Sequence, residues 1–307
     1  MTTYEPAYQM PLATAHSPQQ NPRAFKHLKI RPLSGALGAS VTGIDLASLD
    51  DEGFEDVRQA LLDHQVLTFP DQHLSPENQT DFAARFGSLM HYPFAEPLPE
   101  HPFITEILSE PQDRFNFGGG WHTDSMNFEC PPQITLLQCN EGPQVGGDTS
   151  YTNLYMAWDS LSDGMRRVLR DMRVIAATTL TYGTSTAVGS KDFNDQTSTP
   201  TRMEPNQEEE EFTHPIARTH PHTARQALYL CSAYSARFDR MTRTESLPLM
   251  RYLWNHATQP EFTCRVSWRP GTLTIWDNRC CMHYAHNDYP GERRLMWRVI
   301  VQGEKPY

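Results

Sequence analysis

The 307-residue sequence lacks the features that would place it in a membrane or in a secretory pathway. No apolar run approaches the roughly 18 residues of a membrane-spanning helix. The polar N-terminus, rich in Pro and Gln, has neither the basic segment nor the apolar core of a signal peptide. We expect residues 1–25 to be a disordered tail, followed by one domain over residues 26–307.

The sequence also has few cysteines and no excess of basic residues. Its six cysteines form no CxxC pair, which argues against a zinc knuckle and against a small disulfide-stabilised secreted fold. A reduced, cytoplasmic protein is expected. The formal net charge of −11 argues against nonspecific binding of nucleic acid, which needs a basic face. We therefore expect a small molecule as partner, rather than nucleic acid or a membrane.

Helical patterns are few, and short β-rich runs recur without any internal repeat. Helices are predicted from Asp50 or Asp51 to His64, from the Ser75 cap to about Gly87, over 154–172 and over 244–256. Turns rich in Pro, Gly, Asn and Asp separate many of the strand-like runs, which are 27–33, 65–70, 103–108, 133–139, 173–179, 227–231, 262–268, 272–276 and 295–302. This pattern predicts a mainly β sandwich or barrel with peripheral helices rather than a parallel α/β sheet.

One long polar segment interrupts the pattern. Residues 181–212 have little hydrophobic periodicity and are rich in Ser, Thr, Asp, Asn and Glu. Loops of this length inside a compact domain are either lids over active sites or disordered segments. Both interpretations stay open, and a lid would exclude water from a reactive site.

The motif Trp121-His122-Thr123-Asp124 offers a pair of metal ligands. Residues i and i+2 of a strand point to the same side, so His122 and Asp124 can bind one ion if this segment is extended. A His-x-Asp pair alone is more often a surface pair. His283 follows an apolar strand in an aromatic neighbourhood and is the preferred third ligand, with His286 as its main competitor. The remaining candidate histidines are predicted at the surface: His214, His220 and His222.

Two imidazoles and one carboxylate on one face of an octahedral metal leave the opposite face open for substrates. This is the ligand set of non-haem Fe(II) oxygenases. A nucleophilic role for the adjacent Cys280 and Cys281 is the alternative chemistry in this region. Small buried packing residues are the favoured interpretation of this pair.

Four motifs carry a family resemblance: Gly120-Trp121-His122-Thr123-Asp124-Ser125, Gly146-Gly147-Asp148-Thr149, Trp276-Asp277-Asn278 with His283, and Arg293-Arg294 through Arg298. In order and spacing the sequence resembles the taurine dioxygenase (TauD/TfdA) family, from near Leu28 almost to Pro306. It looks most similar to members that open aryloxyalkanoate herbicides. The resemblance implies a double-stranded β-helix (jelly roll, cupin-like) and a dioxygenase that uses Fe(II), 2-oxoglutarate and O2. It also implies a homo-oligomer, either a dimer or a tetramer.

The resemblance assigns roles residue by residue. His122, Asp124 and His283 match the Fe(II) ligands, and Thr149 matches a hydroxyl that supports the distal carboxylate of 2-oxoglutarate. Arg294, eleven positions after His283, matches the arginine that clamps the same carboxylate. Arg298, four positions further, matches an arginine that often binds the anionic end of the substrate. Because Asp124 retains the metal carboxylate that halogenating relatives lack, oxygen chemistry is favoured over halogenation.

The physical chemistry of these arginines agrees with the implied roles. A guanidinium forks onto a carboxylate more specifically than an ammonium does. On a strand, Arg294 and Arg298 face the same side, with Met296 between them. The alternative is an exposed basic patch, which the apolar run over 295–301 disfavours.

Substrate contacts are predicted from the segments that form the pocket in the family. These candidates, each of which has a core role as its alternative, are His91, Tyr92, Asn116, Phe117, Met126 and Tyr182. The taurine-specific histidine pattern is not matched securely by His91. We expect a small organic anion with an apolar body, a carboxylate or sulfonate, most simply hydroxylated with release of succinate and CO2. Desaturation, cyclisation or bond cleavage with the same cofactors, or a non-catalytic metal-binding jelly roll, are the alternatives.

Overall fold

The computed structural model describes residues 23–115, 117–182, 194–199 and 210–307. The strands are β1 Lys29–Pro32, β2 Ala39–Thr42, β3 Val66–Phe69, β4 Leu89–Met90, β5 Pro97–Leu98, β6 His101–Ser109, β7 Ile134–Glu141, β8 Thr149–Asn153, β9 Arg173–Ala177, β10 Glu211–Pro215, β11 Ala217–Thr219, β12 Gln226–Leu228, β13 Ser235–Phe238, β14 Thr263–Val266, β15 Leu273–Asp277, β16 Cys281–Ala285 and β17 Arg294–Val301. The helices are α1 Asp51–His64, α2 Pro76–Ala84, α3 Leu154–Asp159, α4 Asp163–Leu169, α5 Thr179–Tyr182 and α6 Arg243–Ala257.

Two sheets build the centre of the molecule. The large sheet has the order β1-β2-β3-β15-β7-β17-β6-β5, with β4 also paired to β17. The small sheet has the order β14-β8-β16, and both of its pairings are antiparallel. Two further sheets, β10-β9-β13 and β11-β12, lie outside these two. The predicted mainly β jelly roll with peripheral helices is confirmed.

The large sheet separates two apolar cores because successive side chains of a strand point to opposite faces. On β7, Leu136 packs in the core shared with α1 and α2, whereas Leu137 packs in the core shared with the small sheet. The same alternation on β17 directs Val299 to the helical side and Met296 to the small sheet. Side chains of the large sheet and of the small sheet therefore both line the interior between them.

Backbone pairing brings the His122 segment to the edge of the small sheet. The His122 amide donates to the His283 carbonyl at 3.0 Å, and the His283 amide donates to the His122 carbonyl at 2.7 Å. Within the small sheet, His283 on β16 lies opposite Tyr151 on β8. Two histidines that are far apart in sequence are thus fixed side by side by main-chain hydrogen bonds.

Several sequence predictions hold, and others are corrected. Asp50 and Ser75 cap α1 and α2 as expected, although α2 ends at Ala84. The helix predicted over 154–172 is broken into α3 and α4, because Ser162 caps a new helix by accepting from the Met165 amide. The strands that were not predicted, since none shows clear alternation in the sequence, are β2, β4, β5, β8, β10, β11, β13 and β16.

Two predicted segments fall largely outside the described residues. Of the tail over 1–25, only 23–25 are described, and of the segment over 181–212, residues 183–193 and 200–209 are not. The tail, the domain boundary and the lid therefore stay predictions. No helix in the described part of the chain is long and apolar enough to cross a membrane.

We expect Asp50→Ala to lower the free energy of unfolding by about 1 kcal/mol, because its carboxylate accepts from the Gly53 amide at 2.8 Å and caps α1. Chemical denaturation followed by circular dichroism measures this change. Arg58→Ala, on the exposed face of the same helix, is the control and should have a much smaller effect. Equal losses in the two variants would contradict a specific capping role.

Candidate active site

His122, Asp124 and His283 converge in the interior between the two sheets. Asp124 Oδ1 lies 3.8 Å from His122 Nε2 and 3.9 Å from His283 Nε2, and all three residues are buried. The ligand atoms are close enough for one ion to contact all three. The competitor His286 instead bonds Ser150 Oγ through its Nε2 at 2.7 Å, outside this cluster.

The local backbone differs from the expected extended strand. His122 forms an isolated β-bridge with His283, but Asp124 already lies in a turn, and Ser125 after it has a φ of 45°. The two side chains still meet, because the turn folds Asp124 back toward the histidines. The prediction that His122 and Asp124 lie together is therefore confirmed, whereas the extended backbone assumed for it is wrong.

Hydrogen bonding fixes how His122 presents its ring. Its Nδ1 lies 2.7 Å from the carbonyl oxygen of Gly120, so this nitrogen carries the proton and Nε2 keeps its lone pair toward Asp124. The His283 ring is held by packing, 4.8 Å from the Trp276 ring and 5.9 Å from the Tyr151 ring. Both imidazoles thus face Asp124 in orientations suited to metal coordination.

Asp124 is held by two residues that the sequence did not mark for this role. Thr135 on β7 donates its hydroxyl to Asp124 Oδ2 at 2.6 Å, and Asn278 donates to the same Thr135 hydroxyl at 2.8 Å. The Asp124 amide in turn donates to Asn278 Oδ1 at 3.3 Å. Asn278 stands in the Trp276-Asp277-Asn278 motif, whereas Thr135 is one polar residue in an apolar run, and its sequence context does not indicate a role in the site.

The charge states at this cluster suit a divalent cation. Burial alone would raise the pKa of the Asp124 carboxyl, but His283 and Arg298 hold it below its usual value. Burial, reinforced by His122, lowers the pKa of His283 to about 3, and burial also lowers the pKa of His122. The site therefore offers a carboxylate and two neutral imidazoles, the donor set that fits Fe(II).

Arg294 and Thr149 lie together beside the metal cluster. A cavity of about 30 Å³ is bounded by both of them and by His122 and His283. Trp268 donates its indole N–H to the Thr149 hydroxyl at 3.0 Å, which leaves the hydroxyl proton of Thr149 free to be donated elsewhere. Arg294 is buried without a carboxylate partner among the described residues, and its Nε makes no hydrogen bond.

Arg298 is a second buried guanidinium on the same face of β17. Its Nη1 lies 3.7 Å from Asp124 Oδ1, while its Nε and Nη2 have no hydrogen-bond partner among the described residues. Its Cζ lies 4.0 Å from the Tyr92 ring centroid and 5.4 Å from that of Phe117. The burial pattern confirms that both arginines point inward with Met296 between them, so they are not a surface patch.

A larger cavity of about 430 Å³ opens next to the metal cluster. Its wall consists mainly of aromatic and small residues. The residues that line it are Phe115, Phe117, Gly118, Gly119, Gly120, His122, Leu180, Thr181, Tyr182, Ala233, Tyr234, Tyr284 and Asn287. Because His122 borders both cavities, a molecule in the larger one lies beside the metal position. The arrangement can hold an apolar substrate against a metal centre.

The predicted substrate residues divide in the structure. Phe117 and Tyr182 line the larger cavity, and Tyr92 lies between Tyr182 and Arg298. Two predictions are corrected. His91 is exposed, its Nδ1 lies 3.0 Å from the Pro102 carbonyl oxygen, and its ring packs on Phe103. Met126 is fully buried in the core. Asn116 lies outside the described residues. The cavity residues Tyr234 and Tyr284 were missed, because neither stands in a recognised motif.

A second buried cluster of potential ligands has another explanation. His220, Asp277 and Cys280 come equally close together. However, the Asp277 carboxylate accepts from Arg279 Nε at 2.8 Å, from Arg279 Nη2 at 2.6 Å and from His220 Nε2 at 3.0 Å. Its oxygens are therefore committed to a structural network, and the predicted surface position of His220 is wrong.

The two adjacent cysteines are packing residues, as predicted. Cys280 and Cys281 are buried, and burial raises the pKa of both thiols. The predicted surface position of His214 is also wrong. It is buried, its Nε2 lies 2.8 Å from the Met126 carbonyl, and burial lowers its pKa to about 4.

The jelly roll and this site define a non-haem Fe(II)- and 2-oxoglutarate-dependent dioxygenase. The family model described as "Taurine catabolism dioxygenase TauD, TfdA family" matches residues 29–300, and the chain belongs to this family. An alkylsulfatase of Acinetobacter baylyi is 32% identical over 297 residues, which cover 93% of this chain and 87% of the relative.

Two further similarities agree with this assignment. An (S)-phenoxypropionate/alpha-ketoglutarate-dioxygenase of Sphingobium herbicidovorans is 29% identical over 283 residues, covering 90% of this chain and 95% of the relative. The crystal structure of a putative alpha-ketoglutarate-dependent taurine dioxygenase from Burkholderia xenovorans is similar with a TM-score of 0.75 at 30% identity, covering 91% of each chain. The predicted enzyme class and its use of Fe(II), 2-oxoglutarate and O2 are confirmed.

We expect Thr135→Val to weaken Fe(II) binding roughly tenfold, because it removes the hydrogen bond that orients Asp124 while keeping the side-chain volume. Anaerobic titration with Fe(II) measures the affinity. Thr274→Val is the matched control, since the Thr274 hydroxyl is buried on β15 but donates to Thr68. Identical affinities in the wild type and Thr135→Val would show that Thr135 does not orient the ligand.

Proposed function

We propose that His122, Asp124 and His283 bind Fe(II), that Thr149 and Arg294 hold the distal carboxylate of 2-oxoglutarate, and that Arg298 receives the anionic end of the substrate. The observation that carries this proposal is the pair of buried guanidiniums with unused donors beside one His/Asp cluster. A buried cation is costly unless a partner compensates it. Two anionic ligands would supply that compensation.

The arrangement around Arg294 supports the cosubstrate role. Arg294 Nε makes no hydrogen bond, and the Thr149 hydroxyl already accepts from Trp268 and so can donate. Together they offer donors to one carboxylate, which is the bidentate type of contact that guanidinium favours. A metal-binding jelly roll without catalytic activity would have no use for these buried donors. The non-catalytic alternative is therefore disfavoured.

The surroundings of Arg298 support an anionic substrate with an apolar body. Its free donors face the interior next to Asp124, while the adjoining cavity wall consists mainly of aromatic and small side chains. Two of the three named similar proteins are an alkylsulfatase and a phenoxypropionate dioxygenase, and both names indicate an anion joined through oxygen to an organic group. We propose a substrate of this kind, an alkyl sulfate ester or an aryloxyalkanoate.

Binding and orientation are the protein's part of the reaction. When bound, Fe(II) and 2-oxoglutarate supply the oxidation: one O2 is consumed, 2-oxoglutarate becomes succinate and CO2, and one oxygen atom enters a substrate C–H bond. Arg298 fixes one end of the substrate, and the aromatic wall excludes water from the reacting carbon. The carbon that lies nearest the metal decides between hydroxylation, desaturation, cyclisation and cleavage. Hydroxylation next to an ester or ether oxygen would lead to cleavage.

We further propose that the enzyme works in the cytoplasm as a dimer or tetramer. The absence of any disulfide among its six cysteines supports a reducing compartment. The oligomeric proposal follows from the family resemblance, and sedimentation velocity would test it.

Anaerobic protein with Fe(II) and 2-oxoglutarate should show a visible metal-to-ligand charge-transfer band, because the keto group of 2-oxoglutarate and the carboxylate next to it would bind the metal. Asp124→Ala should abolish or strongly weaken this band, since it removes the only carboxylate of the described ligand cluster. Asp171→Ala, an exposed carboxylate, is the control. A folded wild-type protein without the band would refute the proposed site.

Substitutions of the two arginines should change different Michaelis constants in steady-state kinetics. Arg298→Lys should raise the KM for the organic anion roughly tenfold or more, because an ammonium cannot reproduce the guanidinium contacts. It should leave the KM for 2-oxoglutarate nearly unchanged. Arg294→Lys should raise the KM for 2-oxoglutarate and leave the KM for the organic anion nearly unchanged. Succinate release assayed over a panel of alkyl sulfates, sulfonates and aryloxyalkanoates measures both values, and an unchanged anion KM in Arg298→Lys would contradict the anchor role.

A further inference from the structure

We propose that the hydroxyl of Tyr234 is a specificity-determining hydrogen-bond donor to a second acceptor atom in the substrate, beyond its anionic group. The inference rests on the proposed function, because it presupposes that Arg298 holds the anion. The substrate class it favours is an anion with an ether or ester oxygen over an all-carbon anion of the same shape.

A continuous chain of tyrosine hydroxyls leads from Arg298 to Tyr234. The Arg298 guanidinium lies against the Tyr92 ring, 4.0 Å from its centroid. The Tyr92 hydroxyl is 2.6 Å from the Tyr182 hydroxyl, which is 3.2 Å from the Tyr234 hydroxyl. Face-to-face stacking of Phe94 on Tyr182, at 4.1 Å, holds the middle of this chain. The proposed anion anchor and the cavity wall are thus two hydrogen bonds apart.

The cation sets the direction in which this chain donates. A guanidinium has only donors, and its positive charge beside Tyr92 favours the orientation in which the Tyr92 oxygen turns its lone pairs toward Arg298 and its proton toward Tyr182. Tyr182 then accepts from Tyr92 and donates to Tyr234. The Tyr234 proton finds no acceptor among the described residues, and Tyr234 lines the larger cavity. An occupant of that cavity is the remaining acceptor, because a buried donor left unsatisfied is costly.

The hydroxyls stay protonated, so the donor is permanent. Burial raises the pKa of Tyr92, Tyr182 and Tyr234 above the usual value for a phenol. The small cavity, which Arg298 borders, and the larger cavity, which Tyr234 borders, share His122 in their walls. A substrate anchored at Arg298 would therefore pass both the metal position and the Tyr234 hydroxyl.

Matched pairs of probes test the proposal. Each pair differs by one atom group: hexyl sulfate against heptanesulfonate, and phenoxypropionate against its analogue with a methylene in place of the ether oxygen. Calorimetric titration of anaerobic protein loaded with Fe(II) and 2-oxoglutarate gives the Kd without turnover. The wild type should bind the oxygen-containing member of at least one pair roughly fivefold more tightly. Tyr234→Phe should abolish that preference while keeping the charge-transfer band.

Two further variants separate this role from a general effect on the cavity. Tyr284→Phe removes a hydroxyl from the same cavity outside the chain and should keep the preference. Tyr92→Phe should reduce the preference, because the Tyr234 hydroxyl can then donate back to Tyr182. Absence of a preference in the wild type, or its full retention in Tyr234→Phe or Tyr92→Phe, would overturn the proposal. Failure of the proposed function is distinct, since it would appear as a missing band or as no succinate release by the wild type.

Discussion

The structure depends on one carboxylate buried among positive and polar groups. Asp124 is 4% exposed, and a charge so deeply buried is stable only where partners replace the lost water. Here Thr135 donates to one oxygen, while His122, His283 and Arg298 surround the other. A divalent cation bound as proposed would add to this compensation. These groups come from distant parts of the chain, and the fold brings them together around Asp124.

Main-chain pairing performs the assembly. The reciprocal hydrogen bonds between His122 and His283 join a loop to the small sheet, and the register of β16 on β8 places Tyr151 beside His283. From the opposite sheet, β17 directs Arg294 and Arg298 into the same interior by simple alternation. His283, Arg294 and Arg298 thus stand on paired strands, which hold side chains more accurately than loops do, whereas His122 and Asp124 come from a loop and turn fixed to β16 by main-chain hydrogen bonds.

The enzyme class could be predicted from the sequence, because the residues proposed to perform its chemistry stand in motifs with fixed spacing. His122 with Asp124, and Arg294 with Arg298, are related by short separations whose geometry is determined by local structure. Thr135 and Trp268 could not be found in this way. Each acts through one hydrogen bond to a residue on another strand, and that contact depends on sheet register rather than on sequence separation. The buried positions of His214 and His220 were mispredicted for the same reason. The polar residues near them in sequence indicated a surface segment, but both imidazoles form hydrogen bonds to distant residues in the interior.

Substrate recognition is the part of the site furthest from sequence prediction. Tyr92, Tyr182 and Tyr234 lie in three separate segments, and only the folded chain shows that their hydroxyls are joined. His91, one position away from Tyr92, points to the surface instead. A one-residue change of position on this segment exchanges a buried residue for an exposed one. Apart from Arg298, the proposed substrate contacts thus come from loops and a short helix, which is the part of a fold where function varies most, whereas Thr149, His283 and Arg294 stand on paired strands.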